Sequence, residues 1–384
     1  MGEQYSGAAT ELFLTRERAG DIAHLVRSEH EFTELGPDWQ RLHGASGTLN
    51  PFLGFAWTRA CFETSAGKLE PFILTLRRHG RLVGLAPLCI ERRAGVRVVH
   101  LIADQRSDYL GFISAAGEPG VEEALLDALA TVSREWDVAV LRQLADPFTP
   151  LHNLAAAGLV LHRTRWTTSA FCRWQGDWES LHDSGPPWLR EMRKRRRRFA
   201  RDGGEARRFT GAAAIEQLDI VARIERDSWK GRARVTRLQP GGGQELLRRA
   251  FAYMPEAELW LAFIAGRPVA FQVAFVAGDR LWLHQASYDE RFGKTRAGSV
   301  ATYSAIEEAW RNGIREYDYL AGDEPYKLQR TSELRAIHYI AAHPRTARGW
   351  LSWALLVAPR WKLRNVPAFR HAYDFIKRSR PALS

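Results

Sequence analysis

The sequence predicts an α/β (α+β) protein of two similar lobes, each a mixed, mostly antiparallel twisted sheet flanked by helices. The chain has 384 residues, enough for two ordinary domains. Each half contains a run of alternating strands, then a helix, then a buried strand. The halves also share a hairpin pattern, HGRLVGL at 79–85 and AGRPVAF at 265–271. This weak repeat, with a period of roughly 190 residues, indicates a duplicated domain.

The first lobe is predicted at residues 35–176, after a polar N-terminal segment at 1–34. It opens with two short helical stretches at 39–65, around Asn50-Pro51. Hydrophobic alternation then predicts strands at 72–78, 81–92 and 96–102, a helix at 120–136, a buried strand at 137–144 and two closing strands, LVLHRTRW and SAFCRWQ.

The second lobe is predicted at residues 187–345, after the linker QGDWESLHDSGPP, and opens on a basic helix at 188–201. Asn312-Gly313 is a typical C-terminal signal for the helix predicted from about Ser299 to Arg311. The predicted elements are strands at 258–265, 268–278 and 280–289, a helix from about Ser299 to Arg311, and strands at 314–320 and 333–342. Residues 346–384 are a basic amphipathic C-terminal segment.

Composition narrows the compartment and the class of protein. Cys61, Cys89 and Cys172 match neither a disulfide framework nor a metal site, which predicts a reducing compartment and no metal. The N-terminus lacks a signal-peptide core, so we expect a cytoplasmic protein. The apolar run at 349–359 is shorter than the ~20 residues that span a bilayer. It predicts either a helix on the inner face of an anionic membrane or one that packs its tryptophans on the body of the protein.

The positive charge is concentrated in one helix. The net charge is +11, and REMRKRRRRFAR at 190–201 holds eight basic residues and one acid. Three interpretations are open: a solvated or cleft-lining helix, a surface for a polyanion or an anionic membrane, and a nucleic-acid site. The helix lacks interleaved aromatic residues, and no helix-turn-helix or RNA-binding signature accompanies it. Both facts argue against specific nucleic-acid binding.

One loop indicates an anion site. The chain has no G-x-S-x-G, H-E-x-x-H, C-x-x-C or Walker sequence. In YDERFGKTRAGSV, however, Arg296, Gly298 and Ser299 stand where a helix starts. Glycine lets the backbone approach a ligand, and free amides at a helix start favour an anion such as pyrophosphate. The alternative is an ordinary loop with Ser299 as N-cap.

A second unusual stretch is YDYLAGDEPYKLQR at 317–330, where a strand breaks at Gly322 and an acid pair, a proline, a phenol and an ammonium follow. From about 225 to 330 the chain resembles GNAT-type acetyltransferases of the CelD/BcsL kind, relatives of the FemAB aminoacyltransferases. The resemblance rests on ERDSWKGR, the SYDERF…AGS loop, SVATYSAIEEAWRNG and above all YDYLAGDEPYK. The first lobe shares PLCIERR and Ser107-Asp108-Tyr109, so the likeness covers roughly 35–345.

The resemblance implies two tandem GNAT-like lobes, with acetyl-CoA or another acyl-CoA held by the C-terminal one. Leu281–Tyr288 would be the splayed strand along the pantetheine arm, and it carries His284 and Gln285. Arg296, Gly298 and Ser299 would meet the pyrophosphate. This chain has Arg296-Ala297-Gly298 where many relatives have Ser-Pro-Gly.

The resemblance also implies catalytic roles. Acyl transfer needs a base for the acceptor and a proton donor for the leaving thiolate. Asp318 or Asp323 would be the base, Tyr326 the acid, and Lys327 would hold an anionic group or the thioester oxygen. The structural alternative is that Asp323 caps a turn, Lys327 pairs with it and Tyr326 packs. His284 is a second base candidate, or else a satisfied core histidine.

The acceptor is expected to be a small-molecule or glycan-type amine or hydroxyl. The resemblance implies contacts from Asp108, Tyr109, Trp229 and Lys230, and a role in envelope or exopolysaccharide biosynthesis. Two other functions are open. One is FemAB-like transfer from aminoacyl-tRNA, which would use the basic helix for RNA, and the other is a non-catalytic GNAT-fold module that binds polyanions.

Overall fold

The chain forms two compact units. The computed structural model describes residues 10–12, 20–65, 67–104, 106–145, 158–184, 186–239, 241–322, 324–331 and 333–359. The first unit comprises Met1–Thr58, Ser65–Thr167 and Ala336–Ser384, and the second comprises Arg59–Thr64 and Thr168–Arg335.

Two sheets make up most of the first unit. Its strands are β1 (Thr10–Leu12), β2 (Asp21–Val26), β3 (Glu70–Pro71), β4 (Ile73–Arg78), β5 (Arg81–Ala86), β6 (Leu88–Arg93), β7 (Val96–Leu101), β8 (Ile113–Ser114) and β9 (Val138–Ala145). One sheet has the order β1-β2-β4-β5-β8, and β9, β7, β6 and β3 are neighbours in the other. The helices in this part of the chain are α1 (Glu29–Glu34), α2 (Gly36–Ala45), α3 (Phe55–Glu63) and α4 (Val121–Thr131).

The predicted strand at 81–92 is two strands, β5 and β6. Pro87 separates them, and they belong to different sheets. Proline cannot donate to a ladder, so it stands where one sheet ends and the next begins. Helix α4 packs on β4 and β5. It approaches β5 closely because Gly84 has no side chain: a Cβ at that position would lie 2.3 Å from Val121.

The second unit is one sheet with helices around it. The chain passes into the second unit within strand β10 (Leu159–Arg173) and passes back to the first unit within strand β16 (Leu334–Pro344). Helix α13 (Ala347–Leu356), which follows β16, belongs to the first unit. The elements between are α5 (Trp178–Ser184), α6 (Pro187–Arg201), β11 (Gly204–Thr210), α7 (Gly211–Glu216), α8 (Leu218–Arg226), α9 (Trp229–Arg232), α10 (Gly243–Tyr253), β12 (Ala257–Ile264), β13 (Arg267–Ala277), β14 (Arg280–Tyr288), α11 (Ala297–Arg311), β15 (Glu316–Ala321) and α12 (Pro325–Leu328). The strand order is β11-β12-β13-β14-β15-β10.

Each unit contains the same parallel crossover. In the first unit β7 runs parallel to β9 and α4 lies between them in the chain. In the second, β14 runs parallel to β15 and α11 lies between them. The other strand pairs of the second unit's sheet are antiparallel. The predicted fold class, tandem α/β lobes with mostly antiparallel sheets and flanking helices, is confirmed.

Most predicted elements lie within a few residues of their expected positions, with three further differences. The two closing strands of the first lobe are one continuous strand, β10. The predicted linker contains the helix α5, which follows Asp177; the carboxylate of Asp177 accepts a hydrogen bond from Ser180 N at 2.9 Å. Residues 336–344, which were predicted to belong to the second lobe at 187–345, belong to the first unit. No helix in the described part of the chain is long and apolar enough to cross a bilayer.

Candidate active site

Strands β14 and β15 diverge partway along their length. They pair in parallel through Arg280–Glu316, Leu281–Tyr317 and Trp282–Asp318. Beyond Trp282, β14 continues to Tyr288, and among the described strands it then pairs with β13 alone. A strand that has lost one neighbour presents backbone N–H and C=O groups to another ligand. The second unit therefore has an open strand edge between β14 and β15.

A β-bulge at His284 accounts for the divergence. Val273 lies opposite Gln285 and Ala274 lies opposite Leu283, so His284 is the extra residue of the bulge. A bulge bends its strand and increases the local twist, which turns β14 away from β15. The expectation that Leu281–Tyr288 is a splayed strand is confirmed by this pairing.

The side chain of His284 is poorly suited to accept a proton. Its ring lies edge-on to Phe275, with ring centroids 5.5 Å apart. Burial, together with the nearby cations Arg237 and Lys230, lowers the pKa of His284 to about 3, although the residue keeps some contact with solvent. The imidazole is therefore neutral at pH 7 and much less basic than an ordinary histidine.

Glu225, at the end of α8, is fully buried against the bulged strand. One carboxylate oxygen accepts the backbone N–H groups of Arg237 and Leu238, each at 2.8 Å. The other accepts a hydrogen bond from Gln285 Nε2 at 2.8 Å. Glu225 thus connects the backbone at 237–238 to the side chain of Gln285, which is a predicted cofactor-binding residue.

Lys230, on the short helix α9, lies beside the same carboxylate. Its Nζ is 3.6 Å from Glu225 Oε1 and donates a hydrogen bond to the carbonyl oxygen of Ala286 at 2.9 Å. Burial lowers the pKa of Lys230, and the negative charge of Glu225 opposes that shift in part. The neighbouring Trp229 is half-buried. Of the predicted acceptor residues, Lys230 is therefore in direct contact with β14.

The helix after the loop starts earlier than predicted. Helix α11 begins at Ala297, and its N-cap is Arg296, which has a left-handed backbone conformation with φ of 60°. No side chain caps the first turn, which contains Gly298 and Ser299. Ser299 is therefore inside the helix and is not its N-cap. A Cβ on Gly298 would lie 3.3 Å from the ring of Tyr288, so glycine allows the helix to start close to the end of β14.

Asp318 is a fully buried carboxylate at the point where β14 and β15 part. Its Oδ1 accepts hydrogen bonds from Ser169 Oγ at 2.9 Å and from Leu320 N at 2.8 Å. Its Oδ2 accepts one from Arg335 Nη1 at 2.8 Å. Both oxygens are engaged and neither reaches solvent, so this geometry favours a positioning role for Asp318 over the predicted role as base.

Lys327 is also buried and has a full set of partners. Its Nζ donates to the carbonyl oxygens of Leu320 at 3.2 Å and Ala321 at 2.9 Å, and it lies 3.0 Å from Glu324 Oε2. An ammonium has three donors, and these three acceptors use them all. Lys327 therefore holds the end of β15 to the start of α12. Asp323 lies outside the described residues.

Tyr326 is the half-buried phenol of this group. Its ring centroid is 5.5 Å from the guanidinium carbon of Arg330, which also lies 5.3 Å from the ring of Tyr319 and 5.4 Å from that of Trp188. The Tyr326 hydroxyl has no hydrogen-bond partner among the residues the structure describes. Among the predicted catalytic residues that the structure describes, Tyr326 is therefore the one whose side chain can donate a proton and makes no hydrogen bond to another described residue.

Asp108 and Tyr109, the other predicted acceptor residues, belong to the first unit. Asp108 is half-buried. The side chain of Tyr109 is almost completely buried, and its backbone carbonyl accepts a hydrogen bond from Asn50 Nδ2 at 2.6 Å. Tyr109 has a left-handed backbone with φ of 56°, which this hydrogen bond helps to hold.

Sequence reasoning missed Glu225 and the polar pair behind the bulge. Thr302 Oγ1 donates to Gln272 Oε1 at 3.1 Å, and Gln272 Nε2 donates to the carbonyl oxygen of Val273 at 2.7 Å. Glu225 carried a usable signal: it follows Leu218 and Val221 at i+7 and i+4, so it occupies the apolar stripe of α8. An acid in such a stripe is buried and needs partners.

The basic helix α6 has one packed side and one charged side. Leu189, Met192 and Phe199 are buried, and Arg196 pairs with Glu307 of α11. Four exposed cations follow the opposite side at i, i+4, i+7 and i+11, namely Arg190, Lys194, Arg197 and Arg201. None of the four has an ion pair within the described part of the chain.

Comparison with known proteins identifies the class of domain. Residues 189–328 match a family model described as an acetyltransferase (GNAT) domain. This match begins in α6 and ends in α12, so it contains the diverging strands, α11 and the Tyr326–Lys327 pair. The second unit therefore carries a GNAT-type acetyltransferase domain. No curated protein matches the chain at a significant level.

Solved structures extend the likeness to most of the chain. The crystal structure of FemX is 10% identical, with a TM-score of 0.62, and covers 83% of this chain and 98% of its own. The C-terminal domain of a putative lysylphosphatidylglycerol synthetase from Agrobacterium fabrum is 12% identical, with a TM-score of 0.53, and covers 85% and 96%. A protein of unknown function from Bacteroides thetaiotaomicron is 12% identical, with a TM-score of 0.50, and covers 80% and 97%. At these identities the likeness establishes the fold alone.

Proposed function

We propose that the protein transfers an acyl group from an acyl-CoA to an amine or hydroxyl acceptor. One observation supports this above the others: β14 leaves β15 at a bulge, and the helix that follows begins with an uncapped first turn. The amide-rich pantetheine arm can hydrogen-bond to the open edge of β14 as an added strand does. The diphosphate suits the amides at Ala297, Gly298 and Ser299, next to the cation of Arg296.

The acyl thioester supplies the activated carbonyl, and the protein supplies orientation and protons. When the acceptor attacks, its nitrogen or oxygen bonds to the carbonyl carbon, the carbon–sulfur bond breaks and the thiolate needs a proton. We assign the donation of that proton to the Tyr326 hydroxyl, because it makes no hydrogen bond within the described residues. Asp318 and Lys327 hold β15 and the loop that carries Tyr326.

Two groups compete for the acceptor's proton. Asp323 is the base expected from the resemblance. Lys230 is favoured by its contact with β14 and by a pKa that burial lowers, since a lysine must lose its proton before it can act as a base. Replacing each one separately decides between them.

Binding of the whole chain to CoA and acetyl-CoA is the direct test. A ligand at a hundred times its Kd stabilises the folded state by about 2.7 kcal/mol, which differential scanning fluorimetry detects. We expect Gly298→Asp to abolish the shift, because it places a carboxylate in the diphosphate site and against Tyr288. Ser299→Ala keeps the backbone amides and serves as the control. No shift with the wild-type chain at millimolar acyl-CoA would exclude the proposal.

The finer assignment follows the CelD/BcsL resemblance: a small-molecule or glycan-type acceptor in envelope or exopolysaccharide metabolism. Intact-mass analysis of a metabolite extract incubated with acyl-CoA would reveal the acceptor. If the Tyr326→Phe and Lys230→Met variants both formed products at the wild-type rate, the active site would have to lie elsewhere.

A second function, transfer from aminoacyl-tRNA, is favoured by one observation. The exposed cations of α6 follow one another at about one helical turn, so they form a row of positive charge that suits a phosphate backbone. Activity that disappears after RNase treatment, and that acyl-CoA does not restore, would replace acyl-CoA by aminoacyl-tRNA as the donor. Binding of RNA without any transfer product would indicate a non-catalytic polyanion module.

A further inference from the structure

Helix α13, in the first unit, is firmly attached through one side. Thr346 caps it by accepting a hydrogen bond from Gly349 N at 3.0 Å. Gly349 lets the helix approach the preceding strand, since a Cβ there would lie 2.6 Å from the carbonyl oxygen of Pro344. Trp353 stacks on His162, with ring centroids 4.1 Å apart and planes within 14°.

An ion pair fixes the same helix at its start. Arg348 Nε lies 2.7 Å from Asp137 Oδ1, and Arg348 Nη2 donates to the carbonyl oxygen of Gly95 at 2.9 Å. Val357, just after the helix, packs with Val98 and Val138. The helix is therefore held along its length, and its outer side has a defined orientation.

That outer side is apolar. Trp350, Leu351 and Leu355 are 60%, 52% and 64% exposed, which makes them the three most exposed large hydrophobic residues in the described part of the chain. At 100° per residue they lie on one face, with Ala354 between them. Exposed apolar residues scattered singly need no explanation, but three adjoining ones on a rigid helix indicate an interaction surface.

A groove of about 560 Å³ continues this surface. Its lining includes Trp350 and Leu351 of the helix, Val160 and the buried His343, and the exposed Arg345. Residues 344–359 contain two arginines and no acid. The sequence at 360–384, outside the described residues, has seven basic residues and one acid. Arg345 therefore adds a positive charge to this apolar surface, and the sequence that follows the helix is basic.

We infer that the exposed face of α13 docks the protein on the surface of an anionic lipid bilayer. Tryptophan and leucine enter the boundary between headgroups and acyl chains, while arginine pairs with lipid phosphates. A second copy of the chain fits this surface less well. Three side chains offer on the order of a few hundred Å², whereas a stable dimer takes about 800 Å² from each partner, and the Arg345 side chains of two copies would repel each other.

Vesicle sedimentation with the full chain tests the inference. We expect binding to vesicles of equimolar phosphatidylcholine and phosphatidylglycerol, little binding to phosphatidylcholine alone, and weakening as salt rises. The triple variant Trp350→Ser, Leu351→Ser, Leu355→Ser should bind at least tenfold more weakly, and Arg345→Glu should reduce binding to the anionic vesicles. Ile22→Ser with Leu49→Ser removes two exposed apolar residues elsewhere in the first unit and should leave binding unchanged.

Thiol labelling distinguishes a bilayer from the other possible occupants of this face of α13. The three native cysteines are buried, so Leu355→Cys gives one accessible thiol. It should react rapidly in solution and be protected by anionic vesicles. Protection without vesicles that is independent of protein concentration means that another part of the chain covers the face. Protection that rises with protein concentration means a second copy does. Either result, or a triple variant that still binds vesicles fully, overturns the inference.

Discussion

The ammonium of Lys230 donates a hydrogen bond to the carbonyl oxygen of Ala286 at 2.9 Å, on the part of β14 that has diverged from β15. A cationic side chain from α9 therefore reaches the strand edge where the proposed acyl arm binds. Because burial lowers the pKa of Lys230, its neutral form becomes populated at a lower pH than for an ordinary lysine at about 10.4.

Lys230→Met should lower kcat/KM by about 10²–10⁴-fold if the amine takes the acceptor's proton. The wild-type rate should rise with pH as Lys230 loses its proton, and the variant should lose that rise. Arg232→Met is the matched control, because Arg232 is on the same helix but exposed and paired with Glu290. A full rate and an unchanged pH profile in Lys230→Met, with loss of both in Asp323→Asn, would assign the base to Asp323.

Tyr326→Phe should reduce kcat by about 10²–10⁴-fold while Tm and the KM for acyl-CoA stay unchanged, since only a proton donor is removed. Tyr319→Phe is the paired control: both rings face Arg330, but the Tyr319 hydroxyl is buried without a hydrogen-bond partner among the described residues. Its removal should leave the rate unchanged and stability unchanged or slightly raised. Equal losses in both variants would show that ring packing, and not the proton, is what matters at position 326.

Asp318→Asn should lower the free energy of unfolding of the second unit by about 1–3 kcal/mol, because it weakens the hydrogen bonds that the buried carboxylate accepts from Ser169 and Leu320, while the half-buried Arg335 keeps its ion pair with Glu316. Urea unfolding measures this change. Asp279→Asn, at an exposed position before β14, should change stability by less than about 0.5 kcal/mol. An Asp318→Asn protein that keeps wild-type stability but loses all activity would restore the predicted catalytic role.

The stability of the first unit should fall in acid through Asp137. Burial would raise the pKa of this carboxyl, but hydrogen bonds from Arg97 and Arg348 outweigh burial and hold the pKa well below its usual range. A lowered folded-state pKa contributes stability above the unfolded value of about 3.9, and that contribution is lost as the pH falls below it. Asp137→Asn should therefore be less stable at pH 7 and show a flatter decline of Tm between pH 5 and 3. Parallel declines in both proteins would assign the acid sensitivity to other groups.

The sequence predicts the repeated strand and helix pattern well because hydrophobic alternation is a local property. It does not predict β10 as one strand, because Thr167-Thr168 interrupts the apolar pattern, whereas a tertiary hydrogen bond from Gly322 N to the Thr168 carbonyl oxygen, at 2.9 Å, engages the backbone there. Nor does it predict the break at Pro87, which depends on which sheet each half joins.

For the site, the sequence supplies residue types but not their partners. Lys327 and Asp318 were chosen for chemistry that a free ammonium and a free carboxylate can do. Tertiary contacts with Leu320, Ser169 and Arg335 occupy both groups, and no local pattern reveals those contacts. Glu225 was detectable, because an acid at an apolar helix position is a conflict that only burial with partners resolves.

The placement of β16 also sets the order in which the chain can fold during synthesis. Strand β9 pairs with β16 from Ala139 to Ala145, yet the whole of Thr168–Arg335 is made between those two strands. The N-terminal unit therefore leaves the ribosome with one strand edge uncovered, while the second unit is complete as soon as Arg335 emerges. The later unit can finish first, and a chain that stops before residue 336 would expose the β9 edge to aggregation.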